Sequence, residues 1–402
     1  MSKRGALALV TLAHGLGSLS ILAVAPLSPF LLDGLALSRV QVGLFLPAAY
    51  LGGMLFALPA GWLTERRGVR WPLVLGQTLT GAMVVLASLA PDLPQALACL
   101  FLGGLGFGVL NPTTGKAVID WFPPRERGRA MGVKQAGLTL GGIVSAAVLP
   151  PLAVTLGWRV ALGLAGVVSL ASALVIALFY RDPVTRTVAG PVTPARFSDV
   201  GPFLRRPAVV VVFACGLALS LLQSGVLAYF VLSLRDTFAF SAVDAGRLLA
   251  LAHLGGAAGR LGWGVVSDRL FAGRRRPGLA INAVIGAAAF GCLALGASLP
   301  AAVLPVLAVA LGVAAFGWVG LYFALVAEIG GTRSAGLLTG LAVIFSWGGI
   351  LVGPPLFGLL LDVTDSYRTA WLALATTALI VAATLPRLQP LVQRDPAAQG
   401  AA

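Results

Sequence analysis

The chain has 402 residues, of which 58% are hydrophobic and 10% are charged, and its formal net charge is +14. Soluble domains carry about 25% charged residues, so this composition excludes a water-soluble globular protein. It indicates an integral membrane protein that is embedded in the lipid bilayer.

Apolar runs of about 18 residues or more, which are long enough to cross a bilayer, divide the chain into predicted helices. Spans 1 to 12 are predicted at 5–32, 40–62, 71–90, 94–120, 128–155, 158–180, 208–235, 242–267, 277–298, 300–328, 334–361 and 368–386. They predict an all-α membrane protein with two six-helix bundles, at 1–180 and 208–386. The segments 181–207 and 387–402 are predicted to be a cytoplasmic central loop and a cytoplasmic tail.

The distribution of Lys and Arg predicts which ends of the spans face the cytoplasm, because cytoplasmic loops carry an excess of both residues. With both termini inside, 20 of the 28 Lys and Arg residues lie on the cytoplasmic side and five on the opposite side. The other three are Lys116, Lys134 and Arg260, which lie inside spans. This asymmetry predicts a multi-pass protein of the cell (inner) membrane. It also accounts for the positive charge without a nucleic-acid partner.

Spans 1 and 2 each carry a candidate functional group. Span 1 places His14 near the middle of the bilayer, at a helical rise of about 1.5 Å per residue. Its imidazole could bind a substrate or a proton, or it could pack against a neighbouring helix beside Gly15 and Gly17. Span 2 is followed by Glu65 and Arg66, where charged side chains could close the cytoplasmic face.

Spans 4 and 5 carry polar residues toward the same face. Asn111 is followed by a proline, and bent helices at the interface of two bundles are associated with binding sites. Lys116 and Asp120 are four residues apart on span 4, which favours a structural ion pair. Lys134 and Gln135 in span 5 could face a central cavity, or Lys134 could extend to the lipid headgroups.

Span 8 contains Arg260, eight residues before Asp268 and so about 12 Å inside a bilayer core of about 30 Å. An arginine at this depth costs at least about 2.5–3.5 kcal/mol, so it should face the protein interior or a water-filled cavity. No carboxylate lies in the middle of any span. We therefore predict that Arg260 binds an anion that crosses the membrane, with a structural pairing as the alternative. His253 lies two helical turns earlier and could line the same pathway.

Three more side chains could contribute to this cavity or could simply pack between helices. They are Gln223 in span 7, Tyr322 in span 10 and Trp347 in span 11.

The two halves of the chain carry matching motifs at the predicted cytoplasmic ends of their spans. Residues 61–66 and 264–269 both fit G-x-x-x-[DE]-R, and spans 4 and 10 both end in an acidic residue. Repeated halves are what a transporter that rocks about a central site requires. The residues predicted to form a gate are Glu65, Arg66, Asp120, Asp268, Arg269 and Glu328.

The sequence GWLTERRGVR between spans 2 and 3 resembles the signature G-x-L-x-[DE]-R-x-G-R-[RK] of the major facilitator superfamily, and the likeness extends over essentially the whole chain. The resemblance implies two bundles that alternate access to a central site. It also implies that the acidic residue of this loop meets arginines of a neighbouring helix and closes the cytoplasmic face.

The carboxy-terminal half is similar to one branch of that superfamily. GRLGWGVVSDR, FGWVGLYFALVAEI and GLAVIFSWGGILVGPPLFGLLLD resemble the monocarboxylate and oxalate/formate porters, in which the arginine of span 8 binds the substrate carboxylate; Arg260 stands at that position. Oxalate exchangers also carry a lysine in span 11, and 344–350 has none, which argues against a doubly charged substrate. Gly256 stands where proton-coupled animal monocarboxylate carriers have an aspartate, which leaves proton coupling open.

The predicted function is secondary active transport of a small organic monoanion of the monocarboxylate type, coupled to H⁺ or to exchange for another anion. The alternative is efflux of drugs or of other neutral or cationic small molecules. No catalytic motif of the H-E-x-x-H or G-x-S-x-G type appears, nor a Walker A motif, so we expect neither an enzyme nor ATP drive. The three cysteines lie far apart, and we expect no metal or cofactor. A monomer is expected.

Overall fold

The computed structural model describes residues 1–183 and 204–388. Within these ranges every regular element is helical. Spans 1–7 and 9–12 are Lys3–Leu22, Arg39–Arg67, Arg70–Leu89, Leu93–Trp121, Arg125–Leu156, Trp158–Phe179, Pro207–Phe238, Arg275–Leu293, Ala301–Gly330, Leu338–Thr364 and Tyr367–Arg387. Span 8 is the 29-residue helix Ala242–Leu270, whose apolar run is interrupted by His253 and Arg260. The predicted architecture of twelve membrane helices is confirmed.

Several spans are built from two helical segments, which the hydropathy of the sequence does not reveal. Span 2 consists of Arg39–Val42 and Phe45–Arg67. Span 4 consists of Leu93–Phe107 and Leu110–Trp121. Span 10 follows a short 3-10 turn, Gly296–Ser298. It consists of a second such turn, Ala301–Val303, the helix Leu304–Phe316 and the start of the helix Val319–Thr364. Span 1 is shorter than predicted, because a separate helix, Ser28–Gly34, follows it. Span 5 belongs to the helix Pro124–Leu156.

Spans 10 and 11 lie side by side, although the helical segment Val319–Thr364 includes the end of span 10 and all of span 11. Residues 322 and 345 would be about 35 Å apart along a straight helix. Yet Tyr322 lies against Gly216, and Phe345 stacks on Phe213 of the same span 7 at 5.2 Å. The chain must therefore reverse direction between spans 10 and 11.

The repeat seen in the sequence is also a repeat of helix contacts. A Cβ atom on Gly104 would lie 2.0 Å from the Ala49 carbonyl oxygen, and one on Gly312 would lie 1.7 Å from the Ala252 carbonyl oxygen. In both halves the fourth span of the bundle thus touches the backbone of the second span at a glycine. Only glycine permits such an approach, since any side chain would overlap the neighbouring backbone.

The two halves, spans 1–6 and spans 7–12, meet mainly where span 5 packs on span 8 and span 2 packs on span 11. Near the middle of span 5, Gly142 lies directly against the ring of His253. The same face of span 5 continues toward the side where span 1 begins, which we call the amino-terminal face. There, Cβ atoms added to Gly128 or Gly132, or to Gly264 on span 8, would meet nothing within 4 Å. Toward the opposite face, a Cβ on Gly246 of span 8 would lie 2.6 Å from the Ala146 carbonyl oxygen of span 5, so the halves are in contact there. A cleft between the halves therefore opens to the amino-terminal face and is closed toward the opposite face.

Candidate functional site

Arg260 lies at the closed end of this cleft, where span 8 meets spans 5 and 10. Its Nε donates to the Phe316 carbonyl oxygen at 2.9 Å, and its Nη1 donates to Thr139 Oγ1 at 3.2 Å. Phe316 is the last residue before the break in span 10, where a carbonyl lacks a donor within its own helix. A guanidinium has five N–H groups, so most of its donor capacity is left over. None of the ion pairs among the described residues involves Arg260.

A small pocket adjoins the guanidinium and combines apolar walls with a few polar groups. His253 stacks on Phe316 with ring centroids 4.9 Å apart, and its ring is buried. The Oε1 atom of Gln223 is buried and has no hydrogen-bond partner in the described part of the chain. The residues that line the pocket are Leu22, Tyr50, Leu138, Thr139, Gln223, Leu227, His253, Arg260 and Phe316. The structure thus brings together three of the predicted site residues, namely Arg260, His253 and Gln223.

A second polar cluster lies in the amino-terminal half, between spans 1, 4 and 5. Lys134 is 3% exposed, and its Nζ donates to Asn111 Oδ1 at 3.0 Å. His14 is fully buried, and its Nδ1 lies 3.3 Å from Thr114 Oγ1. No acidic side chain pairs with Lys134 among the residues that the structure describes. The lysine therefore points into the bundle and does not extend to the headgroups.

The remaining predicted site residues lie outside the pocket. Tyr322 is 1% exposed and packs against Gly216 and Trp318. Trp347 makes an edge contact with Tyr50 at 5.4 Å, so it touches a residue of the pocket wall without being part of it. Gln135 is exposed on span 5.

The predicted gate residues lie at the amino-terminal face, and the ion pairs that their four acidic side chains make with described residues stay within one half. Lys116 Nζ lies 2.9 Å from Asp120 Oδ1 and 3.7 Å from Glu65 Oε2, so Glu65 meets a lysine where an arginine was expected. Arg66 lies over the ring of Trp62, at 4.1 Å. The i,i+4 pairing of Lys116 with Asp120 agrees with the structural alternative that the spacing favours.

In the carboxy-terminal half one arginine of the neighbouring helix holds two of the predicted acids. Arg275 lies 2.6 Å from Asp268 Oδ1 and 2.9 Å from Glu328 Oε1. Arg269 is exposed. Since these pairs join spans of the same half, they are compatible with the open cleft at this face.

At the opposite face, ion pairs do join the two halves. Arg235 lies 2.8 Å from Asp33, and Arg39 lies 3.7 Å from Asp236 and 3.0 Å from Asp365. We call these five residues the opposite-face ion cluster. The side chain of Arg39 is 35% exposed, so water reaches it. The cluster closes the face that lies beyond Arg260.

The sequence pattern of the Major Facilitator Superfamily matches residues 7–352. The chain is 25% identical over 362 residues to the hexuronate transporter of Bacillus subtilis (strain 168), which covers 86% of this chain and 85% of that protein. It is 32% identical over 316 residues to an uncharacterized MFS-type transporter of Mycobacterium tuberculosis (strain CDC 1551 / Oshkosh), which covers 77% of this chain and 68% of that protein. The chain belongs to the Major Facilitator Superfamily.

A solved structure of the same superfamily fold agrees with this assignment. A bacterial homolog of the human lysosomal transporter Spinster, in an inward-facing and occupied conformation, superposes with a TM-score of 0.80 at 18% identity, over 97% of this chain and 98% of that chain. This superfamily member is therefore a membrane transporter for a small molecule and not an enzyme. The narrower likeness to monocarboxylate and oxalate/formate porters stays a prediction.

Sequence reasoning missed several residues at the functional surfaces of this superfamily member. Thr139 and Tyr50 have no charge and match no motif, although both lie near the middle of their spans. The opposite-face ion cluster was missed for a different reason. Its two arginines indicate only orientation when Lys and Arg are counted along the sequence, whereas their pairing depends on acids that are far apart in sequence.

Proposed function

We propose that this superfamily transporter carries a small organic monoanion by alternating access and that Arg260 binds the carboxylate. The observation that carries the proposal is that the Arg260 guanidinium, at the closed end of the cleft, has no acidic partner among the described residues. A buried cation without an acidic partner is costly unless an anion visits it. The hexuronate transporter among the relatives supports this substrate class, because a hexuronate is an organic monoanion.

The proposed orientation places the amino-terminal face and both termini in the cytoplasm of a cell whose inner membrane holds the protein as a monomer. An inside-negative potential then opposes uptake of a monoanion by about 2.3 kcal/mol per 100 mV. Accumulation requires a co-transported cation such as H⁺ or exchange for another anion. Efflux of a metabolic acid requires neither.

The test compares stabilisation of the purified protein by an acid and by its neutral amide. Wild type, Arg260→Gln, Arg260→Lys and Arg247→Gln are melted with glucuronate or glucuronamide, and with benzoate or benzamide. Arg247 is a matched control, because it lies on the same span and pairs with Asp244 three residues away. Charge-assisted hydrogen bonds contribute about 1.5–3 kcal/mol, or about ten- to 150-fold in affinity.

We expect an acid, but not its amide, to stabilise wild type and Arg247→Gln. Arg260→Gln should lose that effect, and Arg260→Lys should bind about tenfold more weakly or worse, since an ammonium cannot reproduce the bidentate fork. Equal stabilisation of wild type and Arg260→Gln by the acid would remove Arg260 from the site. Stabilisation by the amides, or by bulky cations such as tetraphenylphosphonium, would favour efflux of neutral or cationic compounds instead.

A further inference from the structure

The cluster around Lys134 lies where a second part of a substrate could reach it. Asn111, the hydrogen-bond partner of Lys134, is exposed. One helical turn before it, Gly108 touches the backbone of Gly53 on span 2, whereas Asn111 itself is bonded to span 5. Spans 2 and 5 are the spans through which this half meets the other one. Asn111 therefore faces the cleft, with Lys134 directly behind it.

The hydrogen bonds of this cluster define what each group still lacks. A Lys ammonium has three N–H donors, and Asn111 Oδ1 accepts from one of them. The Thr114 hydroxyl donates its single proton to the Leu110 carbonyl oxygen at 2.5 Å, so toward His14 it can only accept. The neutral imidazole then carries its proton on Nδ1, and Nε2 is an acceptor. That Nε2 is buried and has no partner among the described residues.

A single substrate group that serves both side chains would accept a hydrogen bond from the ammonium of Lys134 and donate one to Nε2 of His14. A carboxylate can only accept, and a methylene group can do neither. A hydroxyl group does both.

We propose that the transported acid is a hydroxylated monocarboxylate. Arg260 of the carboxy-terminal half holds its carboxylate, and Lys134, Asn111 and His14 of the amino-terminal half hold a hydroxyl group. This deepens the function proposed above and rests on it. A substrate held in this way contacts both halves, so its binding favours their approach.

The spacing of the two anchors indicates the size of the substrate. Arg260 contacts Thr139 of span 5, and Lys134 lies five residues earlier on the same helix. Along the helix axis this separation is about 7.5 Å. With C–C bonds of about 1.5 Å, an acid of about six carbons covers that distance. Lys134 also lies nearer to the open face than Thr139 does. A substrate that enters from this face must therefore pass Lys134 with its carboxylate first in order to reach Arg260.

Three six-carbon acids separate the possibilities when they are titrated against the purified full-length transporter in a thermal-shift assay. Gluconate is hydroxylated, hexanoate is not, and adipate carries a second carboxylate in place of the hydroxyl groups. A hydrogen bond contributes about a factor of two to ten in affinity. We expect gluconate to bind more tightly than hexanoate by at least that factor, and more tightly than adipate.

Variants assign this preference to the cluster. His14→Leu lacks the hydrogen-bond acceptor, so its ratio of gluconate to hexanoate affinity should fall to about one. His14→Gln should retain part of this ratio, because its amide oxygen can accept a hydrogen bond. Lys134→Met should lower the ratio as well. Lys116→Met is the matched control, because Lys116 is the other lysine inside the spans and pairs with Asp120; its ratio should stay at the wild-type value. Should His14→Leu fail to fold, Lys134→Met and the wild-type titrations decide alone.

The two proposals fail in different ways. Equal binding of hexanoate and gluconate, still lost in Arg260→Gln, would overturn the hydroxyl site and leave anion transport standing. Tightest binding of adipate would overturn it in favour of a second anion site at Lys134. If none of the three acids stabilises the wild-type protein, and glucuronate and benzoate do not either, both proposals are wrong.

Discussion

Replacing Arg39 with glutamine should shift the transporter away from the state in which the opposite face is closed. Arg39 is the residue of the amino-terminal half that pairs with two acids of the other half, Asp236 and Asp365. Exposed ion pairs contribute about 0.2–1 kcal/mol each. Loss of both pairs should therefore weaken the closure by about 0.4–2 kcal/mol, or about two- to thirtyfold in the ratio of the two states. The pair of Asp33 with Arg235 is unchanged and keeps part of the closure.

The population shift can be measured as a distance across the cleft at the amino-terminal face. Spin labels at Gly128 and Gly264 suit this purpose, since a side chain at either position meets no neighbour within 4 Å. The three native cysteines are first replaced. Pulsed electron paramagnetic resonance should then give a long distance between the two labels in the wild type. In Arg39→Gln a larger share of the molecules should show a shorter distance. High salt should shift the wild type in the same direction, because it screens exposed pairs.

A matched control separates this effect from the loss of any surface charge. Arg247 lies at the opposite face, as Arg39 does, but its partner Asp244 is on its own helix. Arg247→Gln should leave the distances unchanged. The reasoning is refuted if both arginine variants shift the distances equally. It is also refuted if Arg39→Gln and Asp365→Asn add without coupling when they are combined, since residues that pair directly should not act independently.

Three further results are expected. Gly312→Ala should lower the melting temperature and the yield of folded protein, because its Cβ would lie 1.7 Å from a backbone oxygen, whereas Gly291→Ala, which meets nothing within 4 Å, should not. A cysteine at Gly273 should be protected from an impermeant thiol reagent added to intact cells and one at Pro91 should react; the reverse pattern would invert the proposed orientation. Thr139→Val should weaken acid binding about two- to tenfold, because it removes a hydrogen bond to Arg260. Thr139→Ser keeps the hydroxyl group and should bind the acid as the wild type does. Unchanged binding in Thr139→Val would mean that this bond does not position the guanidinium.

The number of spans and the depth of Arg260 could be predicted from the sequence because both depend on local composition. A bilayer requires about 20 apolar residues per crossing whatever surrounds them. The interruption of span 4 lies beside the Asn111–Pro112 pair, whose proline already indicated a bent helix. The interruption of span 10 could not be predicted from composition, because it occurs within an apolar run near Gly317, where packing against Gly259 of span 8 decides the backbone conformation.

The partners of individual polar residues were harder to predict, and the reason is distance in sequence. Lys116 and Asp120 are four residues apart, so their pairing follows from helix geometry alone. Lys134 and Asn111 belong to different spans, and the sequence left the direction of the lysine open. Arg39 and Asp365 are 326 positions apart, and only the packing of the two halves brings them together.

The hydrogen bond from Arg260 to the Phe316 carbonyl oxygen constrains how the substrate preference of this transporter could diverge. In the function proposed above, position 260 serves the fold as well as the ligand, because its side chain also supplies a donor at the interruption of span 10. A mutation there would alter recognition and weaken the scaffold together, so few would be tolerated. Gln223 and Tyr50 also border the pocket. We expect a lineage that acquires a new cargo, or a laboratory selection for one, to change these positions first and to keep the arginine.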